Sequence, residues 1–219
     1  ARDIDIGLYI AEKFDLRLDK YISKITLTTP TSGTKVYYYD NSKLTKQEIY
    51  SKDVNNSSLV VEYKIVVTNE GQIAGYAKKI IDYLPEDVVF NSELNQDWYI
   101  SDNNGVVYNT ALANEKIEPG QSKEITLILS LNITDKNIGT VVNNNAEIYE
   151  SYNDQGLQDY DSQEANMLET EDDMSSADIM LSLSTGRIIL YTTLTLAILV
   201  ILSVGIFEIK KHVLDKKNN

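Results

Sequence analysis

The chain has 219 residues, 42% of them hydrophobic, and a formal net charge of −13. Such acidity repels phosphate backbones and argues against nucleic acid as a partner. The absence of cysteine excludes disulfides and thiolate metal sites.

The chain opens on Ala1 with neither a start methionine nor a signal peptide. It therefore reads as a mature product or the C-terminal piece of a longer protein. The first patterned segment is "FDLRLDKYI" (14–22). Side chains alternate across a strand with period two, so Phe14, Leu16, Leu18 and Ile22 share one face, and Lys20 falls among them. "KITLTT" (24–29) continues the strand, but Ile25 and Leu27 have changed phase, which predicts a β-bulge near Ser23.

Strand patterns follow at "TKVYYYD" (34–40), "LTKQEIY" (44–50) and "LVVEYKIVVT" (59–68). In the last, Val61, Tyr63, Ile65 and Val67 form the apolar face. "YAKKIIDYLP" (76–85), "DVVF" and "DWYI" come next. "EPGQ" (118–121) suits a type II turn with Gly120 at positive φ. "EITLILSL" (124–131), "TVVNNNAEIYE" (140–150) and "ADIMLSLS" (177–184) complete the strand series. No helical stripe appears before residue 188, and short strands at these intervals predict an all-β, Ig-like antiparallel sandwich.

Ile188 to Phe207 is a run of 20 residues without a charge, long enough as a helix to cross a bilayer. Lys210, Lys211, Lys216 and Lys217 follow it, against only Glu208 and Asp215. By the positive-inside rule the tail is cytoplasmic and the bulk of the chain extracellular. The expected organisation is a sandwich over 1–150, an acidic linker plus final strand over 151–186 (strand 177–184), a transmembrane helix over 188–207 and a basic tail over 208–219.

Three polar residues lie in phase with inward faces: Lys20, Asp82 (with Ile80 and Leu84) and Asn144 (with Val142, Ala146 and Ile148). If their strands adjoin, an amine, a carboxyl and a carboxamide meet in an apolar interior. Burial lowers a lysine's pKa and raises an aspartate's, giving a nucleophilic amine beside an acid able to polarise the amide. The product would be a Lys–Asn isopeptide bond, with ammonia released. Two plainer readings stand beside it: a buried Lys20–Asp82 ion pair completed by Asn144, or a Lys20 side chain snorkelling at a sheet edge.

"FDLRLDKYI", "EYKIVVTNEG", "KIIDYLPEDVVF", "IEPGQSKEITL" and "NNAEI", spread over roughly residues 12–150, resemble the Ig-like modules of Gram-positive surface proteins. These include pilin-type, isopeptide-forming domains and the conserved repeats of adhesins. The resemblance implies a first-strand lysine bonded to a late-strand asparagine, promoted by an acid on a middle strand: Lys20, Asn144 and Asp82. Glu62 is an alternative acid and Lys46 an alternative lysine. No LPxTG sorting signal precedes the span, so retention in the membrane is expected rather than wall attachment by sortase.

Two other signals are fainter. Asp154, Asp159 and Asp161 gather around Gly156 as calcium candidates, although the spacing is not that of an EF-hand and a solvated acidic loop is the plainer reading. The 15 tyrosines suit β faces or an adhesive surface. The only histidine, His212, lies in the tail, so no Ser–His pair is available outside it. The expectation is a non-enzymatic, cofactor-free surface stalk, with at most one self-modifying turnover. The alternative is an adhesin for an extracellular protein or glycan.

Overall fold

The structure is a computed structural model, and it describes residues 11–39, 42–51, 56–102, 105–134, 136–183 and 185–217. Eleven strands precede one helix: β1 (Leu16–Thr29), β2 (Gly33–Tyr38), β3 (Lys46–Ser51), β4 (Ser57–Asn69), β5 (Gly75–Tyr83), β6 (Val88–Phe90), β7 (Trp98–Ile100), β8 (Val106–Asn109), β9 (Ser122–Ile133), β10 (Val141–Asn153), β11 (Met174–Leu183) and α1 (Thr185–Lys217). They form two sheets, one ordered β2-β1-β4-β9-β6 and the other β3-β11-β10-β5-β8-β7. Every pairing is antiparallel except β11 with β3. The fold is the all-β sandwich that the alternation predicts.

The predicted inward faces are the core. Leu16, Leu18 and Ile22 of β1, Val61, Tyr63, Ile65 and Val67 of β4, and Ile125, Leu127, Leu129 and Leu131 of β9 are all buried. They pack against Ile80, Ala146, Ile148, Ala177 and Ile179 of the second sheet. A buried branched aliphatic side chain contributes about 1.5–3 kcal/mol relative to an exposed one, so this shared interior dominates the stability of the sandwich.

The pairing of β1 with β4 shifts register between Ile22 and Lys24, which is the bulge expected near Ser23. The extra residue allows Ile22 and Ile25, three positions apart, both to point inward. It also changes what lies along the free edge of β1. Residues 24–29 pair with β2. The preceding half leans on the other sheet and its loops, with the Leu18 amide donating to the Asp172 carbonyl at 2.8 Å and the Ile22 amide to the Leu44 carbonyl at 2.8 Å. That lean carries Lys20 over the second sheet.

Two glycines have defined duties. Gly120, at φ +76°, makes the predicted turn, with Gln121 N donating to the Glu118 carbonyl at 2.9 Å. Gly71 lies against the backbone leading into β1: a Cβ there would sit 2.5 Å from the Lys13 carbonyl oxygen. Amides 70–73 donate to the carbonyls of Asp15 and Lys13, so this glycine lets the loop close on the start of β1.

Two features differ from the sequence expectations. The sandwich does not close at residue 150: β10 runs to Asn153, and β11 pairs with both β10 and β3 inside the second sheet. The final strand therefore belongs to the sandwich, because Ala177, Ile179 and Leu181 complete its core. The strand Val106–Asn109 was not expected, since four residues after a turn-rich loop carry too short a pattern to read. In α1, Ile189–Phe207 is long and apolar enough to cross a membrane, and its large side chains are exposed, Ile201 at 70%.

Candidate functional site

Lys20, Asp82 and Asn144 come from three strands in two sheets. Lys20 on β1 is opposite Ile65 of β4. Asp82 on β5 is opposite Ala146 of β10, and Asn145 is opposite Tyr83, so Asp82 and Asn144 are diagonal neighbours. Period-two alternation turns all three into the space between the sheets. Lys20 is 1% exposed, and Asp82 and Asn144 are fully buried.

The three side chains touch. The Lys20 Nζ donates to Oδ2 of Asp82 and to Oδ1 of Asn144, both in very close contact. Nδ2 of Asn144 donates to Oδ1 of Asp82 at 2.6 Å and to the Tyr83 carbonyl at 3.2 Å. The two carboxylate oxygens are thus divided, one on the amine and one on the amide nitrogen. An acid that polarises the amide would be expected on the amide oxygen. Here that oxygen faces the amine instead, because the Tyr83 carbonyl holds the NH2 group on the carboxylate side.

The surroundings push both charges toward neutrality. Burial lowers the Lys20 pKa, opposed by the attraction and hydrogen bond of Asp82. Burial raises the Asp82 pKa, opposed by Lys20 and by the hydrogen bonds of Lys20 and Asn144. Tyr63 closes one side, its buried ring centroid 4.7 Å from Nζ. Sequence alternation put Tyr63 inward, but nothing in it pointed to the amine. Ser175 Oγ accepts from the Lys20 amide at 3.0 Å and fixes this stretch of β1.

This arrangement is suited to amide exchange. A neutral Lys20 amine is a nucleophile, and the Asn144 carboxamide carbon is an electrophile with ammonia as its leaving group. Asp82 touches both nitrogens, so it can take a proton from the attacking one and deliver it to the departing one. The fold holds all three at hydrogen-bond range, which removes the entropic cost of encounter.

The alternative assignments fall elsewhere. Glu62 is paired with Lys24 at 3.0 Å and accepts from Ser23 Oγ at 3.1 Å, away from Lys20. Lys46 is exposed at the start of β3. Of the calcium candidates, Asp159 and Asp161 lie together with Asp15 and Asp172, whereas Asp154 is exposed outside that group. The Asn153 side chain pins a tight turn there, accepting from the amides of residues 155 and 157 at 3.1 Å each.

No protein-family profile and no curated protein sequence matches this chain. Solved structures do. The CARDB domain of the PF1109 protein from Pyrococcus furiosus, in complex with di-metal ions, is 13% identical over 80% of this chain and 100% of that one, with a TM-score of 0.35. A solution NMR structure of the same domain is 14% identical over 77% and 98% of the two chains, with a TM-score of 0.29. These are archaeal domains rather than Gram-positive pilin-type modules.

Proposed function

We propose that the chain is a membrane-anchored structural module of a cell surface, its two sheets locked together by an isopeptide bond between Lys20 and Asn144. The observation that carries this reading is the buried contact of Lys20, Asp82 and Asn144 between the sheets. In the reaction, Nζ of Lys20 bonds to Cγ of Asn144, and the Cγ–Nδ2 bond breaks. The amine proton passes through Asp82 to the leaving nitrogen, and ammonia departs. The bond turns over once and leaves Asp82 unchanged. The apolar helix, with lysines after it, supports insertion with the sandwich outside and the tail inside.

Intact-mass measurement of the full chain in detergent tests the bond. The expected mass is that of the sequence less one ammonia, with full mass restored by Lys20→Ala and by Asn144→Ala. A wild-type chain at its unmodified mass would falsify the crosslink and leave a buried ion pair.

A second reading, an adhesin for an extracellular protein or glycan, draws support from the outer face of the second sheet. The rings of Tyr76 and Tyr152 meet at a tilt with centroids 6.1 Å apart, and those of Tyr99 and Tyr108 at 5.5 Å. Lys79 lies between Tyr108 and Tyr149, 4.7 and 5.0 Å from their centroids. Exposed tyrosines give large, rigid contact area at low entropic cost. Binding of the full chain to glycan and matrix arrays, lost on Tyr99→Ala with Tyr152→Ala, would favour this reading.

A further inference from the structure

A second polar cluster lies at the start of β1, outside the crosslink site. Asp15 precedes β1, Asp159 and Asp161 belong to the β10–β11 loop, and Asp172 stands just before β11. One carboxylate oxygen from each lies within 4.8 Å of the other three. Such crowding of like charge is costly unless something positive sits among them. Among the described residues, none of these four carboxylates makes a salt bridge.

The nearby cations have other partners, although Lys13 still opposes the rise in the Asp15 pKa. Arg17 is paired with Asp19 at 2.9 Å and with Glu70, and the Lys13 ammonium sits 3.1 Å from the centroid of the Tyr160 ring. Glu70 adds further negative charge, helping to raise the pKa of both Asp15 and Asp172. Burial, then the neighbouring carboxylates, pushes Asp15 above the usual range. Asp159 is pushed up to about 6, chiefly by burial and further by Asp15 and Asp172.

A separate observation concerns Asp15 itself. The residue is only 9% exposed, and its Oδ1 is buried with no hydrogen-bond partner. A buried carboxylate oxygen left unsatisfied bears its desolvation penalty with nothing to offset it. The other acids are held in position: Asp159 Oδ2 accepts from the Leu16 amide at 2.8 Å, and Asp172 Oδ1 from Ser162 Oγ at 2.8 Å. Each keeps lone pairs free to coordinate.

We propose that Asp15, Asp159, Asp161 and Asp172 bind a hard divalent cation of calcium's class, which clasps the β10–β11 loop to the start of β1. The donors are all carboxylate oxygens, the set such ions select. Calcium–oxygen distances of about 2.3–2.6 Å place opposite ligands about 5 Å apart, so oxygens within the observed limit can share one ion. Backbone oxygens and water would complete the shell. The ion gives Asp15 Oδ1 a partner and replaces mutual repulsion with attraction. It also ties residue 15 to residues near the C-terminal end of the sandwich, independently of the Lys20–Asn144 bond.

The test uses the full chain in detergent micelles, stripped with a chelator and titrated with calcium chloride alone. Terbium luminescence sensitised by tyrosine, with Tyr160 beside two ligands, supplies a second readout. The expected result is saturable terbium emission displaced by calcium, and a rise in Tm of about 3–6 °C at ten times the dissociation constant. Asp15→Asn and Asp161→Asn should weaken calcium binding at least tenfold; the exposed Asp161 keeps that variant folded. Asp154→Asn should bind as wild type. Absence of saturable binding up to about 10 mM calcium, a range that covers weak extracellular sites, would overturn the proposal. So would equal loss of affinity in Asp154→Asn, which would assign binding to diffuse acidity.

Discussion

Asp82 accepts a 2.6 Å hydrogen bond from Nδ2 of Asn144 while its other oxygen accepts from the Lys20 ammonium. One carboxylate on β5 therefore spans the two groups whose union would tie β1 to β10. It is the only one of the three that the reaction returns unchanged, and its removal separates chemistry from packing.

Asp82→Asn keeps the shape of the site and removes the proton carrier. The expected chain folds, retains Lys20 and Asn144 side by side, and keeps its full unmodified mass. Intact-mass spectrometry after prolonged incubation checks this, and a chain that still loses ammonia would remove Asp82 from the mechanism.

Lys20→Met fills nearly the same volume but cannot bond. It leaves Asp82 buried without its partner from β1, and removing one partner of a buried polar contact costs up to about 3–5 kcal/mol. Loss of the covalent loop adds to that. The Tm in chemical or thermal denaturation should fall by well over 5 °C, a size set by the few degrees that each kcal/mol shifts in a domain this large.

The rate of bond formation should be nearly flat in pH around neutrality. Moving a proton from Lys20 to Asp82 converts the charged pair to the reactive neutral pair without exchanging any proton with solvent. Burial favours the neutral form of each, lowering the lysine from 10.5 and raising the aspartate from 3.8. With one proton shared between them, as the same two side chains hold in the unfolded chain, the pair contributes no pH slope at neutrality. Time courses of ammonia loss from chain collected unfolded and unreacted, then folded at about pH 6, 7 and 8, should overlay; a tenfold change per pH unit would show that solvent supplies the proton.

Leu199→Arg places a charge at the middle of the apolar helix, where Leu199 is 60% exposed. On insertion scales that costs about 2.5–3.5 kcal/mol for the arginine. The share of chain recovered with membranes after alkaline extraction should drop accordingly. Undiminished retention would mean that the helix does not hold the chain there.

Gly71→Ala sets a methyl group 2.5 Å from the Lys13 carbonyl oxygen, a clash with backbone that cannot rotate away. Overpacking of this kind costs about 1–3 kcal/mol. Because the displaced segment carries Asp15, calcium affinity should fall along with Tm, and the two can be measured on one sample.

Much of the sandwich was legible because its strands obey a strict period of two. The inward residues of β4 and β9 alternate without interruption, and Ser23 announced itself by breaking the phase between Ile22 and Ile25. The same rule singled out Lys20, Asp82 and Asn144, since a polar residue in an apolar register is informative wherever its partner lies. What sequence could not supply was distance between chain segments. Asp15 and Asp172 are remote in the chain from one another, and only folding brings both to Asp159. Asp154 looked equivalent to its neighbours until the Asn153 turn carried it outward. Likewise β11 read as a strand between an acidic stretch and the helix, but its place between β10 and β3 depends on a crossover that no local pattern records.

The chain enters the sandwich at β1 and leaves it from β11, the strand that runs into the apolar helix. With Lys20 bonded to Asn144, a pull between the N-terminus and the membrane would pass from residue 20 directly to residue 144. Everything between, including β4, β5 and β9, would lie on a closed loop off the line of tension. The hydrogen bonds of those strands would then be spectators under load, and the extensible length of the module would shrink to its two ends.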